Sequence, residues 1–483
     1  MTRPAIDLLF RPRSVVVYGA SSDPEKLSGR PLDYLKRFGF AGTISAVNPH
    51  RDTVQGVHSF ARIADVPGPI DLAVVVVPAE SVADAIRHCA DAGVGAAIVF
   101  ASGFAEIGEK GTELQDALVV TAASGGMRLL GPNCLGTFAA RTNAFATFST
   151  AFDEEVLRPD SPIALVTQSG AVGTFTYTMM NSIGLGVRYF ANTGNQADIT
   201  AVEILIELVA EPDVDVLLGH MEDFTDYDSL QRLAQTAAEH AKALIILKAG
   251  RTPSGSRAVA AHSGSVAGVD EDFTEMLDDY GVVRVESMEA MADTALGFIG
   301  GRHPLGPRLT IVTLSGGAGA LAVDEAVERD LLVEPWGDVD RHDLAVHLPY
   351  FGSTKNPIDV TGAMINDVEI LKKTMSIVCA NDATDSILVV LGNADKVADE
   401  IVATIVDSYA STTKPFLVSW TGGSGRPREQ LLESGVPTYS DPTRAVRVLA
   451  HLLESDRRRE RFLSRSPSGT VSTMTASESE SPR

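Results

Sequence analysis

Only three cysteines occur in 483 residues, Cys89, Cys134 and Cys379, and none stands in a CxxC pair. Such sparse, scattered thiols exclude a disulfide framework and a cysteine zinc site, and they fit a reducing compartment. Long apolar runs are missing too. The longest, such as Leu72 to Val77, have the length of a strand and fall far short of the ~20 residues that cross a bilayer. The stretch from Met1 to Phe10 carries Asp7 and has no apolar region followed by a small-residue cleavage site, so no signal peptide is read there and a cytoplasmic location is expected. Positive charge is scarce: 40 Lys and Arg stand against 63 Asp and Glu, a net charge of −23. General binding to nucleic acid or an anionic membrane is thereby excluded, because both depend on clustered cations. Also absent are the GxxxxGKS/T phosphate loop, HExxH and the GxSxG elbow, so no nucleotide-hydrolysing machinery is visible and no metal site is assigned.

Present instead is an ordinary globular composition, 45% hydrophobic and 21% charged, on a chain long enough for several cores. Short β-branched segments alternate with helical patterns. Ser14 to Tyr18, Gly42 to Val47, Leu72 to Val77 and Ala96 to Phe100 form a first set. A second comprises Ile163 to Thr167, Val214 to Gly219 and Ala243 to Leu247, with a helix over Ala201 to Val209. The third comprises Leu309 to Leu314, Ser386 to Leu391 and Pro415 to Val418. Alternation of this kind predicts an α/β protein with three doubly wound, mainly parallel units, Rossmann-like or flavodoxin-like. The expected boundaries are 1–150, 151–303 and 304–463. Gly300 to Pro307 reads as the joint before the third unit, and 464–483, rich in Ser, Thr and Pro, reads as a disordered tail.

Two kinds of segment carry chemistry. The first ends strands of the opening unit: Gly19-Ala20-Ser21-Ser22, Asn48-Pro49, Val77-Pro78 and Ser102-Gly103. Doubly wound sheets bind ligands at this carboxyl edge, where glycine lets a phosphate approach the backbone and hydroxyls donate to it, so a nucleotide-like ligand is expected. The second is Ala260-Ala-His-Ser-Gly-Ser-Val-Ala-Gly268, in which small neighbours leave His262 accessible. Imidazole is a nucleophile at neutral pH, and Glu222, just past a strand of the same unit, could fix its tautomer. An internal echo bears on both: Ile163-Ala-Leu-Val-Thr-Gln-Ser-Gly-Ala-Val-Gly173 parallels Leu309-Thr-Ile-Val-Thr-Leu-Ser-Gly-Gly-Ala-Gly319. Each is a strand running into a Ser-Gly helix start whose free N–H groups suit an anion, so Ser169-Gly170 and Ser315-Gly316-Gly317 could address one phosphoryl group.

These motifs, with Gly131-Pro-Asn-Cys134, Gly194-Asn195, Asp198 and Asn356-Pro-Ile-Asp-Val360, resemble the α subunit of NDP-forming acyl-CoA synthetases, relatives of succinyl-CoA synthetase, over roughly residues 8 to 455. The resemblance implies that the first unit binds CoA, through the edge residues above and Asn133, and that His262 is phosphorylated with Glu222 as its carboxylate partner. It implies a small carboxylic acid as substrate, and ATP or GTP with Mg2+ handled by an ATP-grasp β subunit in a hetero-oligomer such as α2β2. An acyl phosphate would follow the phosphohistidine, and the acyl pocket would draw on loops near Gly194 to Asp198 and Asn356 to Gly362. Two departures stand out: Ala261 precedes His262 where the family has Ser, and Asp223 follows Glu222 where it has Gly.

Two other readings compete. A non-catalytic CoA-binding regulator would have no use for His262, Glu222 and both Ser-Gly starts. An NAD-dependent dehydrogenase would need the glycine spacing that Gly19-Ala-Ser-Ser lacks, and an acidic residue where Val47-Asn-Pro49 stands.

Overall fold

The computed structural model describes residues 3–153, 160–222, 226–263 and 270–465. Seven strands make the first sheet: β1 (Ser14–Tyr18), β2 (Thr43–Val47), β3 (Thr53–Val54), β4 (Val57–Phe60), β5 (Leu72–Val75), β6 (Ala96–Val99) and β7 (Arg128–Leu130). Their order is β3-β4-β2-β1-β5-β6-β7, parallel throughout except for the β3–β4 hairpin. The interior of β1 and the whole of β5 and β6 are buried, which is why they read as continuous valine and alanine runs rather than as alternating patterns. Strand order reverses at β1, so the crevice of this unit opens between the carboxyl ends of β1 and β5.

The second sheet holds β8 (Gly136–Ala139), β9 (Ala144–Thr147), β10 (Ile163–Thr167), β11 (Tyr189–Asn192), β12 (Val216–Met221), β13 (Ala243–Lys248) and β14 (Val283–Val285), in the order β14-β13-β12-β10-β11-β8-β9. Five strands are parallel, and the β8–β9 hairpin adds to them through the antiparallel pair β8–β11. The chain therefore changes sheet between Leu130 and Gly136, upstream of the boundary near residue 150 read from sequence. Aromatic packing accounts for this: Phe138, Phe145 and Phe190 stack with centroids near 5 Å, and Phe152 and Tyr177 close around them, so the hairpin packs into the second unit while Phe145 also meets Phe38 of the first.

In the third sheet, β15 (Leu309–Thr313), β16 (Ile358–Asp359), β17 (Ser386–Gly392), β18 (Phe416–Thr421) and β19 (Thr438–Tyr439) are all parallel in the order β16-β15-β17-β18-β19. Strands β10 to β14 show the same flavodoxin-like winding, so the sequence echo marks two copies of one plan. Helix Met288–Ile299 of the second unit and the long helix Pro442–Arg465 pack together, and one apolar core containing Phe298, Leu309, Val446 and Leu449 runs through both units. Across that seam Arg444 holds Asp293 through two bonds of 2.6 and 2.7 Å, and Tyr439 Oη donates to the Asp293 carbonyl at 3.2 Å. The long helix continues through Arg465, and from 466 onward the expected tail lies outside the described residues. No described helix is long and apolar enough to cross a membrane.

Candidate functional site

The carboxyl edge of the first sheet gathers the nucleotide-like set. Gly19 sits at φ +94°, and a Cβ there would lie 2.6 Å from Val77 Cγ1, so the turn closing β1 accepts only glycine without strain. Its N–H donates to Val47 O at 2.9 Å. Asn48 Nδ2 donates to Ala20 O at 3.0 Å, and Gln55 Nε2 donates to Ser21 O and Gly29 O at 2.9 Å each, so the loop backbone is tied from below. Ser22, Pro49, Pro78 and Ser102 are exposed along the same edge. The next helix starts only at Arg30, after Gly29, so Ser21 and Ser22 lie in a loop and not at a helix N-terminus.

The second constellation lies where strand order reverses between β10 and β12. Ser169 caps helix Gly170–Ser182, and no side-chain cap bond is formed by its hydroxyl. Small residues after it have a packing cause: a Cβ at Gly170 would lie 2.6 Å from Leu135, and one at Gly173 would lie 2.4 Å from Thr167 Oγ1. The buried Gln168 side chain reaches across the crevice, its Oε1 accepting from Glu222 N at 2.5 Å, so Ser169 and Glu222 are held on facing lips. Just behind, His220 is buried with no hydrogen-bond partner at Nδ1, and burial lowers its pKa to about 4. Neutral imidazole is the form held there.

His262 falls in the last turn of helix Pro253–Ser263, which follows β13 in the same sheet. Its side chain, Asp223 and residues 264–269 lie outside those described. That helix leans against the 3-10 turn Ala105–Ile107 of the first unit, bringing the histidine-bearing segment to the loop that begins at Ser102.

Ser315 is the N-cap of helix Gly316–Val327, and its hydroxyl accepts from Ala318 N at 3.5 Å. Gly316 and Gly317 are exposed, and nothing lies within 4 Å of a Cβ at Gly317. The two Ser-Gly helices are linked through the central pair, Gly170–Ser182 packing on Met288–Ile299 and Gly316–Val327 on Pro442–Arg465.

Other motif residues join the first two units. Asp198 accepts from Leu129 N at 2.7 Å and from Arg128 Nε, and Asn133 Nδ2 donates to Asn195 Oδ1 at 3.1 Å. Asn356 is buried, accepting from Ile311 N at 3.0 Å and donating to Leu309 O at 2.7 Å. The side chains of Asp198 and Asn356 thus hold backbone of neighbouring strands, and Asp198 also pairs with the Arg128 guanidinium. Sequence reading passed over Glu106, which bonds to the Gly103 loop and to Asn195. The signal was an acid three residues beyond a strand-end glycine.

Two family descriptions match this chain: a CoA binding domain over residues 13–140 and a succinyl-CoA ligase like flavodoxin domain over 160–298. The α subunit of acetate–CoA ligase [ADP-forming] I from Pyrococcus furiosus is 31% identical over 461 residues, 93% of this chain and 97% of the relative. Acetate–CoA ligase [ADP-forming] I from Archaeoglobus fulgidus is 30% identical, and the match covers 92% of this chain but 63% of that longer one. Among solved structures, acetyl-coenzyme A synthetase 1 from Ca. Korarchaeum cryptofilum, in complex with phosphate and ADP, superposes with a TM-score of 0.87 at 29% identity, over 96% of this chain and 99% of the other.

Proposed function

The chain belongs to the family of ADP-forming acetate–CoA ligase α subunits, and from that premise we propose that this acid–thiol ligase works as a phosphoryl relay centred on His262. In the first step an imidazole nitrogen takes the γ-phosphoryl group of ATP, releasing ADP. A carboxylate oxygen of the substrate then attacks phosphorus and breaks the P–N bond, giving an acyl phosphate and free His262. Attack of the CoA thiol on the acyl carbon expels inorganic phosphate and gives acyl-CoA. Glu222 holds the second ring nitrogen, raising the nucleophilicity of the first and stabilising the ring as charge develops. Free N–H groups at the starts of helices Gly170–Ser182 and Gly316–Val327 offset the phosphoryl charge.

The observation that carries this reading is the join between two edges. Glu222 and Ser169 face each other through Gln168 at the switch point of the second sheet, and the helix bearing His262 leans on the ligand edge of the first. Gly19, Ala20, Ser21, Ser22, Asn48, Pro49, Pro78, Ser102, Gly103 and Asn133 would hold CoA there. A tight glycine turn backed by Val77 fits the close backbone approach that a diphosphate needs. Mg2+ and ATP would be supplied by an ATP-grasp β subunit in an α2β2 assembly in the cytoplasm, with acetate or another small carboxylate as substrate.

The test is to incubate the purified chain with acetyl-CoA and radiolabelled phosphate, which runs the last two steps backwards. Acid-labile, base-stable label is expected on the wild type and none on His262→Ala. Label that persists in His262→Ala removes the residue assignment. No label on the wild type, with several acyl-CoAs tried and a known synthetase as control, removes the relay.

A further inference from the structure

The carboxylate of Glu106 lies where three parts of the molecule meet. Gly103 N and Phe104 N both donate to it, the latter at 3.2 Å, so it closes its own loop after β6. Asn195 of the second unit donates to the same carboxylate at 2.5 Å, while its amide also reaches Gln115 Oε1 at 3.0 Å and accepts from Asn133 at 3.1 Å. Burial pushes the Glu106 carboxyl up, but the N–H donors outweigh it and leave its pKa below the usual glutamate range. The loop needs such a tie, because Gly103 stands at φ +106° and imposes no conformation of its own. Glu106 itself belongs to the turn Ala105–Ile107, the part of the first unit that meets the histidine helix Pro253–Ser263.

We propose that Glu106 is a positioning residue of the CoA-dependent half-reaction, fixing the Ser102–Phe104 edge against Asn195 and against the histidine helix so that thiol and acyl phosphate meet in register. The proposal rests on the relay described above. An acyl phosphate formed or consumed at His262 without CoA does not require this register, whereas acyl transfer to or from the thiol does. A displacement of about 1 Å at a reacting pair is enough to cost on the order of 100-fold.

The experiment compares two phosphoryl donors on the full chain: acetyl-CoA with labelled phosphate, which needs the CoA edge, and labelled acetyl phosphate, which does not. Glu106→Gln keeps the shape but turns an N–H group toward either the Gly103 donor or the Phe104 and Asn195 donors. It is expected to slow labelling from acetyl-CoA by about 10- to 100-fold while labelling from acetyl phosphate stays within about twofold. Asn195→Ala leaves the Gly103 loop closed and removes only bonds that cross between the units, those with Glu106, Gln115 and Asn133, so it keeps the test decisive if Glu106→Gln misfolds. The same split is expected, and Glu106→Asp should recover part of the loss. Equal losses with both donors, or none with either, overturn the proposal. A wild type that takes label from neither donor overturns the relay instead.

Discussion

His220 is buried in the second sheet, two residues before Glu222. Placed in β12 with every residue of the strand buried, it gains no hydrogen bond at Nδ1 and is held neutral with a pKa of about 4. His451 is likewise lowered to about 4, first by burial and then by Arg329 and Arg447. The unfolded chain binds these protons near pH 6.5 and the folded chain does not, so stability is complete above about pH 6.5 and is lost as pH falls toward 4. A shift of about 2.5 units corresponds to about 3 kcal/mol for each histidine. Urea unfolding at pH 7.5 and pH 4.5 should show that drop, and His220→Leu should lessen it by about 3 kcal/mol with little change at pH 7.5, since no hydrogen bond is lost. An unchanged acid drop in the variant would show that His220 is already protonated in the folded state. Nothing in Gly219-His-Met-Glu-Asp223 announced this behaviour, because burial on both faces of a sheet is a tertiary fact.

At the scale of elements, the echo between the two Ser-Gly segments was legible because both are apolar strands feeding a helix across a tight turn. What it hid is that their glycines answer to different causes. Gly173 lies under β10, 2.4 Å from Thr167 Oγ1 when given a Cβ, whereas Gly317 faces open space at negative φ. Gly173→Ala is therefore expected to cost about 1–3 kcal/mol through overpacking, and Gly317→Ala to gain about 0.5 kcal/mol from reduced backbone entropy in the unfolded chain. Thermal unfolding of the two variants separates them by sign. Short strands escaped sequence reading for a related reason. Tyr189–Asn192 has no β-branched run, and β16 and β19 have two residues each, so hydrogen bonding to an already formed neighbour recruits them.

Across the whole molecule, Gly300 to Pro307 read as a joint, yet the units on either side are fused. Gly306 is pressed against Asp385, whose carboxylate would lie 2.4 Å from a Cβ there, and the Asp293–Arg444 pair crosses the shared core. Burial raises the Asp293 pKa even with Arg444 beside it, so the guanidinium is what keeps that carboxylate tolerable. Arg444→Met should cost about 3 kcal/mol, and adding Asp293→Asn should restore more than half of it, since the stranded charge is then removed. Denaturant unfolding of the two single variants and the double variant closes the cycle, and a double variant no more stable than Arg444→Met would locate the cost in lost packing.

The sequence by itself determined the three α/β windings, the strand-end loops of the first sheet, the doubled Ser-Gly starts and the family, because each is written within a few neighbouring residues or in their order. Tertiary structure alone decided that the Gly136–Thr147 hairpin belongs to the second sheet, that the second and third units share one core, and that Glu106, Asn195 and Asn133 form one joint. Those outcomes depend on pairs far apart in the chain, 89 residues for Glu106 and Asn195 and 151 for Asp293 and Arg444, whose meeting is settled by packing and desolvation and leaves no local pattern to read.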